Sequence, residues 1–490
     1  VVGIRDPHTG TDTDLVTATR GPGGGNRFLV GGQELIQVAV VRQGIGSDLP
    51  SRPDAEIVHW YASDRVAPDV DHPHDQVFPA GPLLLFARDQ QGASHDAGNP
   101  SAVSNASGVG VLGGAISAML DQSSRTNDAV GSGAARPTYY GRTNLLPTSE
   151  NLDGWDKLNA GSGLVPVVTL NAGVAPDGSN TAIRVDLNCV DTSSTSHRSY
   201  VRAAHTSGAN TEYKARIWLK AATPADVGKE VRLLNENTVS HSNLKHTLTE
   251  DWALVERNPV RTASGTTTNW FIECRGTVTQ QSASVLLWHP DLRYLGADAG
   301  VAPYQPITAA ANYVTQGFPV GALFDGVDDA MTVAAGGGGT TGFFWCGAIR
   351  LEKAGAAQTL FADTGANTGY RVWINASNQL EFSAGNGSIY TSIATARALK
   401  VGERAVCTAW HDGANLYVQL DDGDISSTAF ATATAGTAGY TIGKDNGAAS
   451  GYFGGVLYAY CYLRNTSPSA PWRDLVQLYA AGKAKLPMGA

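Results

Sequence analysis

Apolar residues in this chain occur in short runs, and glycine, asparagine, aspartate or proline separates one run from the next. Short runs bounded by turn-forming residues predict β-strands rather than helices. Near the C-terminus, residues 404–410 and 415–421 flank a His-Asp-Gly-Ala turn. In the second run Leu416 and Leu420 fall on one face and Tyr417 on the other, so one face is expected in a core and the other is open to solvent or a ligand.

The N-terminal part of the chain also predicts β-structure. Residues 27–30 and 33–41 flank a Gly-Gly pair, which is a signal for a two-residue hairpin turn. Further strands are predicted at residues 55–61 and 82–88. Residues 89–108 are rich in small and polar side chains and predict a linker.

One segment near the C-terminus has a helical period instead. Leu475, Leu478 and Tyr479 follow the i, i+3, i+4 spacing of an amphipathic helix. The pattern predicts a short helix over residues 471–480.

Residues 321–333 carry the most informative motif, Phe-Asp-Gly-Val-Asp-Asp followed by a run of small and apolar residues. An apolar run that stops at Asp-Gly and restarts within a few residues predicts two strands joined by a tight turn. This motif resembles the beginning of laminin-G-like jelly rolls of the concanavalin A type. That resemblance implies a β-sandwich of a kind common in phage fibre and spike proteins, where it binds ligands rather than transforming them.

A second motif that resembles this family lies much earlier in the sequence. Residues 119–140 contain Asp-Gln-Ser-Ser-Arg-Thr-Asn and Ala-Ala-Arg-Pro-Thr-Tyr-Tyr, which resemble a phrase that closely precedes the Phe-Asp-Gly-Val-Asp-Asp motif in phage jelly rolls. The wide separation predicts an inserted domain, since insertions are tolerated where chain ends lie close together. The expected domains are an N-terminal β-rich anchoring domain with a linker (1–104), a jelly roll (105–140 plus 311–490) and an insert (141–310).

The insert shows short apolar strands separated by turn residues, which predicts a second β-sandwich. The order of its phrases, from Asn-Leu-Leu through Ala-Pro-Asp-Gly to a closing Ala-Pro-Tyr-Gln-Pro, is similar to carbohydrate-binding modules of the family-four type. The predicted fold class is therefore all-β, with a small N-terminal domain and two sandwiches, one inserted in the other.

The amino-acid composition of the chain argues against some classes of binding partner. Only 16% of residues are charged and the formal net charge is -9, which argues against nucleic acid and anionic membranes as partners. No apolar run approaches the ~20 residues that a membrane-spanning helix needs. Five scattered cysteines without CxxC spacing favour buried free thiols made in a reducing compartment.

Two clusters of side chains are candidates for metal binding. Asp325, Asp328 and Asp329 bunch on the predicted turn and could contribute oxygen ligands to Ca²⁺, which needs six to eight of them. The alternative is that Asp325 holds the turn by accepting backbone N–H bonds. Residues 69–75, Asp-Val-Asp-His-Pro-His-Asp, could bind a transition metal or form a solvated turn. No other cofactor is indicated.

Aromatic side chains are the candidates for carbohydrate binding, because the C–H face of a sugar stacks on a flat π system. Trp373, Tyr390 and Tyr452 flank loop-like segments of the predicted jelly roll, and Trp270 does so in the insert. Three further tryptophans lie within strongly apolar runs and are expected in cores, namely Trp218, Trp288 and Trp410.

Catalytic motifs are absent from the sequence. No two glutamates lie within five residues of each other, so the paired carboxylates of concanavalin A-type hydrolases are missing. GxSxG, HExxH and P-loop motifs are missing as well. We therefore expect a protein that is not an enzyme.

These observations and resemblances together predict a virion fibre or spike protein of a phage or phage-like particle. It would be made in the bacterial cytoplasm and displayed on the particle, bind a host surface glycan, and contact other virion proteins through its N-terminal region. A homotrimer is expected, since several weak sites acting together raise avidity. The alternatives are a structural capsid or tail decoration protein and a polysaccharide depolymerase.

Overall fold

The structure is a computed structural model of the 490-residue chain. It describes short strands within the first 113 residues and most of the chain from residue 114 onward. The described ranges are 2–5, 12–15, 19–20, 27–30, 33–41, 56–63, 91–96, 103–105, 108–109, 114–119, 128–190, 196–206, 211–235, 244–261, 267–276, 282–295, 304–309, 312–315, 318–334, 337–446 and 451–486.

The chain divides into two compact units, of which the first comprises residues 1–80 and 84–89. Its described strands are β1 (Val2–Arg5), β2 (Asp12–Leu15), β3 (Thr19–Arg20), β4 (Arg27–Val30), β5 (Gln33–Val41) and β6 (Glu56–Ser63). They form a two-stranded sheet, β1-β2, and a four-stranded sheet, β3-β4-β5-β6. Val30 pairs with Gln33, so the predicted Gly-Gly hairpin is confirmed. The strand predicted at 82–88 lies outside the described residues.

The second unit begins with short strands and continues into a sandwich of two five-stranded sheets. The short strands are β7 (Gln91–Asp96), β8 (Val103–Asn105), β9 (Gly108–Val109), β10 (Ala118–Met119), β11 (Ala129–Val130) and β12 (Thr138–Tyr140). The strands of the five-stranded sheets are β13 (Asp156–Ala160), β14 (Leu164–Gly173), β15 (Ala182–Asn188), β16 (Arg198–Thr206), β17 (Glu212–Ala221), β18 (Glu230–Asn235), β19 (Leu244–Thr247), β20 (Ala253–Arg261), β21 (Thr267–Arg275) and β22 (Ser282–Tyr294), with a 3₁₀ turn at Pro224–Asp226.

The remaining strands begin with a small hairpin, which the first two of them form. They are β23 (Ile307–Ala309), β24 (Asn312–Tyr313), β25 (Gly321–Asp325), β26 (Met331–Val333), β27 (Phe343–Leu351), β28 (Gln358–Ala362), β29 (Thr368–Ile374), β30 (Gln379–Asn386), β31 (Tyr390–Ala398), β32 (Arg404–His411), β33 (Asn415–Leu420), β34 (Ser426–Ala429), β35 (Tyr440–Ile442) and β36 (Gly454–Arg464). Helix α1 (Ala470–Ala484) comes last. No helix among the described residues has the length and apolar character needed to cross a bilayer.

The C-terminal sandwich, as we name it, consists of a ten-stranded and an eight-stranded antiparallel sheet. The first has the order β31-β30-β29-β28-β35-β26-β11-β10-β8-β9, and the second the order β12-β25-β36-β27-β32-β33-β34 with β7 also paired to β36. One continuous core lies between the sheets and includes Phe343, Trp345, Tyr370, Phe382 and Tyr462. The linker predicted over 89–108 is wrong, because β7, β8 and β9 pair within these sheets.

Both sheets combine strands from the two sides of residues 141–310. In one sheet Val130 of β11 pairs with Thr332 of β26, and in the other Tyr139 of β12 pairs with Ala322 of β25. The chain therefore leaves the C-terminal sandwich after β12 and returns to it at β25.

The central sandwich, formed by β13 to β22, has its own core. Its sheets have the orders β13-β16-β21-β18-β19 and β14-β15-β22-β17-β20. Alternating residues of their inner faces, such as Val185, Val201, Leu219 and Ile272, are buried together. All-β architecture with sandwich packing is thus confirmed as the fold class.

Gln305 fastens the two ends of the central segment to each other. Its Oε1 accepts backbone N–H bonds from Thr143 (2.6 Å) and Asn144 (3.1 Å), and its Nε2 donates to the carbonyls of Gly141 (2.8 Å) and Val314 (2.7 Å). The side chain is fully buried. The chain therefore enters and leaves the central sandwich at one point.

Arg350 joins the central sandwich to the C-terminal sandwich. This buried guanidinium lies over the ring of Tyr140 (5.5 Å to the centroid) and over the ring of Tyr294 (5.4 Å), and it pairs with Glu352. Close by, Gly402 approaches Tyr294 so closely that a Cβ atom would lie 2.3 Å from the ring carbon Cγ. The tight fit indicates that the two sandwiches pack directly against each other.

Helix α1 covers the outer face of the eight-stranded sheet. Its Trp472 packs edge-on against Phe344 (5.4 Å), and its Gln477 donates to Thr408 Oγ1 and Gln419 Oε1 (2.9 Å each). A helix over 471–480 was predicted and is confirmed. The face of β33 that carries Tyr417 and Gln419, expected to be open, is instead next to this helix.

Candidate functional site

The outer face of the ten-stranded sheet is free of helices among the described residues. Alternation along β29 sends Tyr370, Val372 and Ile374 into the core and leaves Arg371 and Trp373 half-buried on the outside. Helix α1 covers the other sheet, so this is the face of the C-terminal sandwich that the helix leaves open.

Two of the four aromatic residues predicted to bind carbohydrate, Trp373 and Tyr390, lie on this face, and Tyr452 follows a residue that bonds to its strand β28. Trp373 pairs across strands with Thr359, whose backbone N–H donates to the carbonyl of Gly451 (2.8 Å), next to Tyr452. Tyr390 begins β31 on the other side, where its hydroxyl donates to the carbonyls of Gly365 (2.7 Å) and Thr368 (2.9 Å). All three side chains are half-buried. We call this surface, defined by Arg371, Trp373, Tyr390, Asp445 and Tyr452, the Trp373 face.

An ion pair occupies the middle of the Trp373 face. Arg371 Nη1 lies 2.9 Å from Asp445 Oδ2, and its guanidinium stacks 4.2 Å above the Trp373 ring. Thr364 Oγ1 donates to the other carboxylate oxygen of Asp445 (2.9 Å). The arrangement holds a donor and an acceptor side by side over one face of the indole ring, where sugar hydroxyls can bond to both, and it leaves the opposite face of the ring for stacking.

Hydroxyl groups extend the polar surface toward the edge of the sheet. Trp373 Nε1 donates to Ser383 Oγ (3.1 Å), which bonds in turn to Ser392 Oγ (2.8 Å). Ser392 is exposed. Burial, followed by the charge of Asp445, raises the pKa of Tyr390, so its hydroxyl stays protonated at neutral pH and acts as a donor.

Trp270 does not belong to any exposed surface, and its prediction as a sugar-stacking residue is wrong. Trp270 and Ile272 alternate inward along β21, and only 6% of Trp270 is exposed. It lines a cavity of about 50 Å³ between the sheets, which has room for only a few water molecules. A pyranose ring cannot enter this space.

Two tryptophans predicted to lie in a core are instead half-buried on an outer face of the central sandwich. Trp218 of β17 pairs across strands with Trp288 of β22 and, on its other side, with the exposed Leu254 of β20. Trp288 Nε1 donates to Thr181 Oγ1 (3.1 Å). Their apolar sequence neighbours suggested burial, whereas strand alternation places them opposite the core. Trp410, the third predicted core residue, is buried next to α1, where Arg473 lies 4.4 Å above its ring.

The acidic cluster on the β25–β26 turn is held by backbone hydrogen bonds. Carboxylate oxygens of Asp325, Asp328 and Asp329 lie within 4.8 Å of one another. Asp325 Oδ1 accepts the N–H groups of Val327 (2.7 Å), Asp328 (3.2 Å) and Asp329 (3.4 Å). Although burial opposes ionisation, these donors lower the pKa of Asp325.

The same turn is a poor match to calcium chemistry. Lys353 Nζ donates to the carbonyl of Gly326 (3.0 Å), so an ammonium group already lies beside this turn. The carboxylate of Asp363 accepts backbone N–H bonds from Gly338 and Tyr370, and that of Asp445 pairs with Arg371, so neither contributes to this turn. Six to eight oxygen ligands are not provided. The geometry therefore favours the turn-holding alternative, and the histidine-containing segment 69–75 lies outside the described residues.

Comparisons with known proteins find similar architectures but no assigned family. No family model matches the sequence, and no curated protein matches it significantly. A carbohydrate-binding module (CBM40) of a Ruminococcus gnavus sialidase, bound to sialyllactose, is 13% identical over 29% of this chain and 83% of its own, with a TM-score of 0.25.

Two further solved structures show likeness of the same degree. Domain 4 of a Geobacillus stearothermophilus arabinanase, in complex with arabinotriose, is 14% identical over 32% of this chain and 76% of its own, with a TM-score of 0.27. Domains LG4-5 of the mouse laminin α1 chain are 9% identical over 69% of this chain and 100% of their own, with a TM-score of 0.26. At such scores these likenesses do not assign a function.

Proposed function

We propose that this protein binds glycans on the Trp373 face without transforming them. The observation that carries the proposal is the Arg371–Asp445 pair beside Trp373, with Tyr390 on the same sheet face, which the C-terminal helix leaves open. Aromatic rings stack on the C–H faces of sugars, and adjacent charged donors and acceptors bind pairs of hydroxyl groups.

The proposal includes the biological setting predicted from the sequence. A fibre or spike of a phage or phage-like particle, displayed on the particle, would use its N-terminal region to contact other virion proteins. Support for this setting comes from the resemblance of residues 119–140 and 321–333 to phage jelly rolls. As a homotrimer, the protein would present several weak sites at once, which raises avidity by about 10²–10⁴.

We also propose that residues 141–310 are an inserted domain within the jelly roll formed by 105–140 and 311–490. The Gln305 bonds that bring both ends of this segment together support it, as does the separate core of the central sandwich. The Trp218–Trp288 pair would then give the insert an aromatic surface of its own.

Glycan-array binding by the full chain tests the proposed function. We expect Trp373→Ala to lower the affinity for a bound glycan about 5- to 30-fold, as the loss of 1–2 kcal/mol of stacking implies. Tyr417→Ala is the matched control, since Tyr417 lies on the opposite sheet, where its ring stacks on Trp410 (4.9 Å), and glycan binding should be unchanged.

The two alternative functions give different results in the same experiments. A decoration protein would bind no glycan in the array, and that outcome would contradict the proposal. A depolymerase would release reducing ends from a host polysaccharide during incubation. Binding that persists unchanged in folded Trp373→Ala protein would place the site elsewhere.

A further inference from the structure

A positively charged surface covers the outer face of the β13-β16-β21-β18-β19 sheet in the central sandwich. Alternation sends Val201 of β16 and Ile272 of β21 into the core, so their neighbours Arg202 and Glu273 lie on the outside. Among the described residues, five cations and three acids share this face: Arg198, Arg202, Arg232, Lys245, Arg275, Asp156, Glu230 and Glu273. Five minus three gives an excess of two positive charges, although the whole chain carries -9.

Like charges lie directly opposite each other on this face. Arg198 of β16 is the cross-strand partner of Arg275 of β21, and Arg232 of β18 is the partner of Lys245 of β19. Directly opposed like charges destabilise a sheet. Glu230 bridges Arg232 and Lys245, and Glu273 pairs with Arg275, so the remaining cation of the two pairs is Arg198.

Glu273, at the centre of the face, leaves one oxygen without a hydrogen bond. Its side chain is fully buried, and Arg275 Nε donates to its Oε1. Its Oε2 has no hydrogen-bond partner, and the nearest cation, Arg198 Nη1, lies 3.9 Å away. Burial raises the pKa of Glu273 despite its arginine neighbours. A buried polar atom left in this state indicates that a hydroxyl group or water bonds to it.

Arg198 is the cation best placed to meet a ligand. Its guanidinium donates no hydrogen bond to any side chain or carbonyl in the described ranges, and its side chain is 31% exposed. It lies over the ring of Tyr200 (5.4 Å to the centroid), which orients it. Tyr200 is in turn the cross-strand partner of Glu273, so cation, ring and unpaired oxygen are neighbours.

We infer that this surface, which we name the Arg198 face, is a separate site for acidic saccharides. The carboxylate or sulfate of the sugar would accept hydrogen bonds from Arg198 and Arg275, because the planar guanidinium matches both groups. Unlike the Trp373 face, the Arg198 face would bind only sugars that carry a negative charge. Its assignment does not depend on the proposed function of the Trp373 face.

Matched pairs of polymers test the inference with the full chain. Polygalacturonate is compared with its fully methyl-esterified form, and dextran sulfate with dextran, by biolayer interferometry at low salt and at high salt. We expect binding to a charged polymer and none to its neutral counterpart, with affinity falling at high salt because ions screen exposed charges. Whether the carboxylate or the sulfate polymer binds identifies the acidic group.

Variants locate the site. Arg198→Ala should weaken binding about 10- to 100-fold, since hydrogen bonds to charged groups contribute about 1.5–3 kcal/mol, and Arg198→Lys should recover only part of this loss. Lys214→Ala is the matched control, because Lys214 pairs with Glu256 (3.1 Å) on the other sheet. Trp373→Ala should leave this binding unchanged, which separates the two sites.

Four outcomes would overturn the inference. The first is failure to bind either charged polymer, and the second is equal binding of charged and neutral polymers. The third is retention of binding by Arg198→Ala protein whose circular dichroism and melting temperature show it to be folded. Equal affinity for single-stranded DNA, with the same loss in Arg198→Ala, would reveal a general anion surface and would also count against a saccharide site.

Discussion

Backbone groups hold many of the acidic side chains of this protein in place. Asp325 accepts three N–H groups of its own turn, Asp363 accepts those of Gly338 and Tyr370, and Asp412 accepts those of Ala414 and Asn415. At the scale of single residues, carboxylates that look like ligands in the sequence therefore serve to fix turns.

Asp329 makes stability depend on pH. Burial raises its pKa from an ordinary value of 3.8 to about 6 in the folded protein. Between these values the folded protein binds more protons than the unfolded chain, so stability falls as the pH rises from about 4 to 6. Asp329→Asn keeps an oxygen that can accept the Asp325 N–H, a bond of 2.8 Å in the parent, and removes the titration.

We expect Asp329→Asn to exceed the parent in stability by about 1–3 kcal/mol at pH 8 and to match it near pH 4. Urea unfolding at both pH values measures the difference, with the exposed neighbour Asp328→Asn as the control. A variant that is less stable than the parent at pH 8 would contradict the assignment.

At the scale of elements, burial on both sides explains the composition of the central strands. Every residue of β27, Phe343–Leu351, is buried, because the sandwich core lies on one side and α1 covers part of the other. The helix in turn buries Leu475, Val476, Tyr479 and Ala480. Leu478, predicted to share that apolar stripe, is 39% exposed.

Neighbouring positions of α1 test this packing. Tyr479 is only 2% exposed, and Tyr479→Ala should lower the free energy of unfolding by about 3–5 kcal/mol through the cavity it creates. Leu478→Ala, the control one residue earlier, should change it by less than about 1 kcal/mol. Equal losses in chemical denaturation would mean that the helix is rotated from the position described.

Elements set by neighbouring residues could be predicted from the sequence. The burial of a side chain by elements distant in the sequence could not. The β4–β5 hairpin follows from its Gly-Gly pair, and α1 follows from its spacing of apolar residues. By contrast, the polar strand β7 is held by backbone pairing with β36. Backbone pairing does not require apolar side chains, so the sequence of β7 shows no apolar pattern by which to predict it. Trp218 and Trp270 were assigned to the wrong environments because alternation alone does not say which face of a strand meets the core.

On the scale of the whole molecule, the central sandwich is attached through one entrance. Gly141 N–H donates to Tyr313 Oη (3.0 Å), and Gln305 bridges both segments of chain. Arg350 adds a packed contact that spans the two sandwiches. The core of the C-terminal sandwich takes no residue from β13 to β22.

Excision of the central segment tests the inserted-domain proposal. Replacing residues 143–311 with a short Gly-Ser linker should leave a folded C-terminal sandwich, since its sheets are complete without them. We expect a cooperative thermal transition and unchanged glycan binding at the Trp373 face. Aggregation of the shortened protein, or loss of its thermal transition, would show that the two sandwiches fold only together.

The single entrance also determines how the molecule carries mechanical load. A pull applied between residues on either side of the central segment passes through the Gln305 bonds and the paired strands β12 and β25. The strands β13 to β22 lie outside the part of the structure through which this force passes. They would stay folded while the C-terminal sandwich bears the strain, so a surface carried on them keeps its shape when the molecule is stretched.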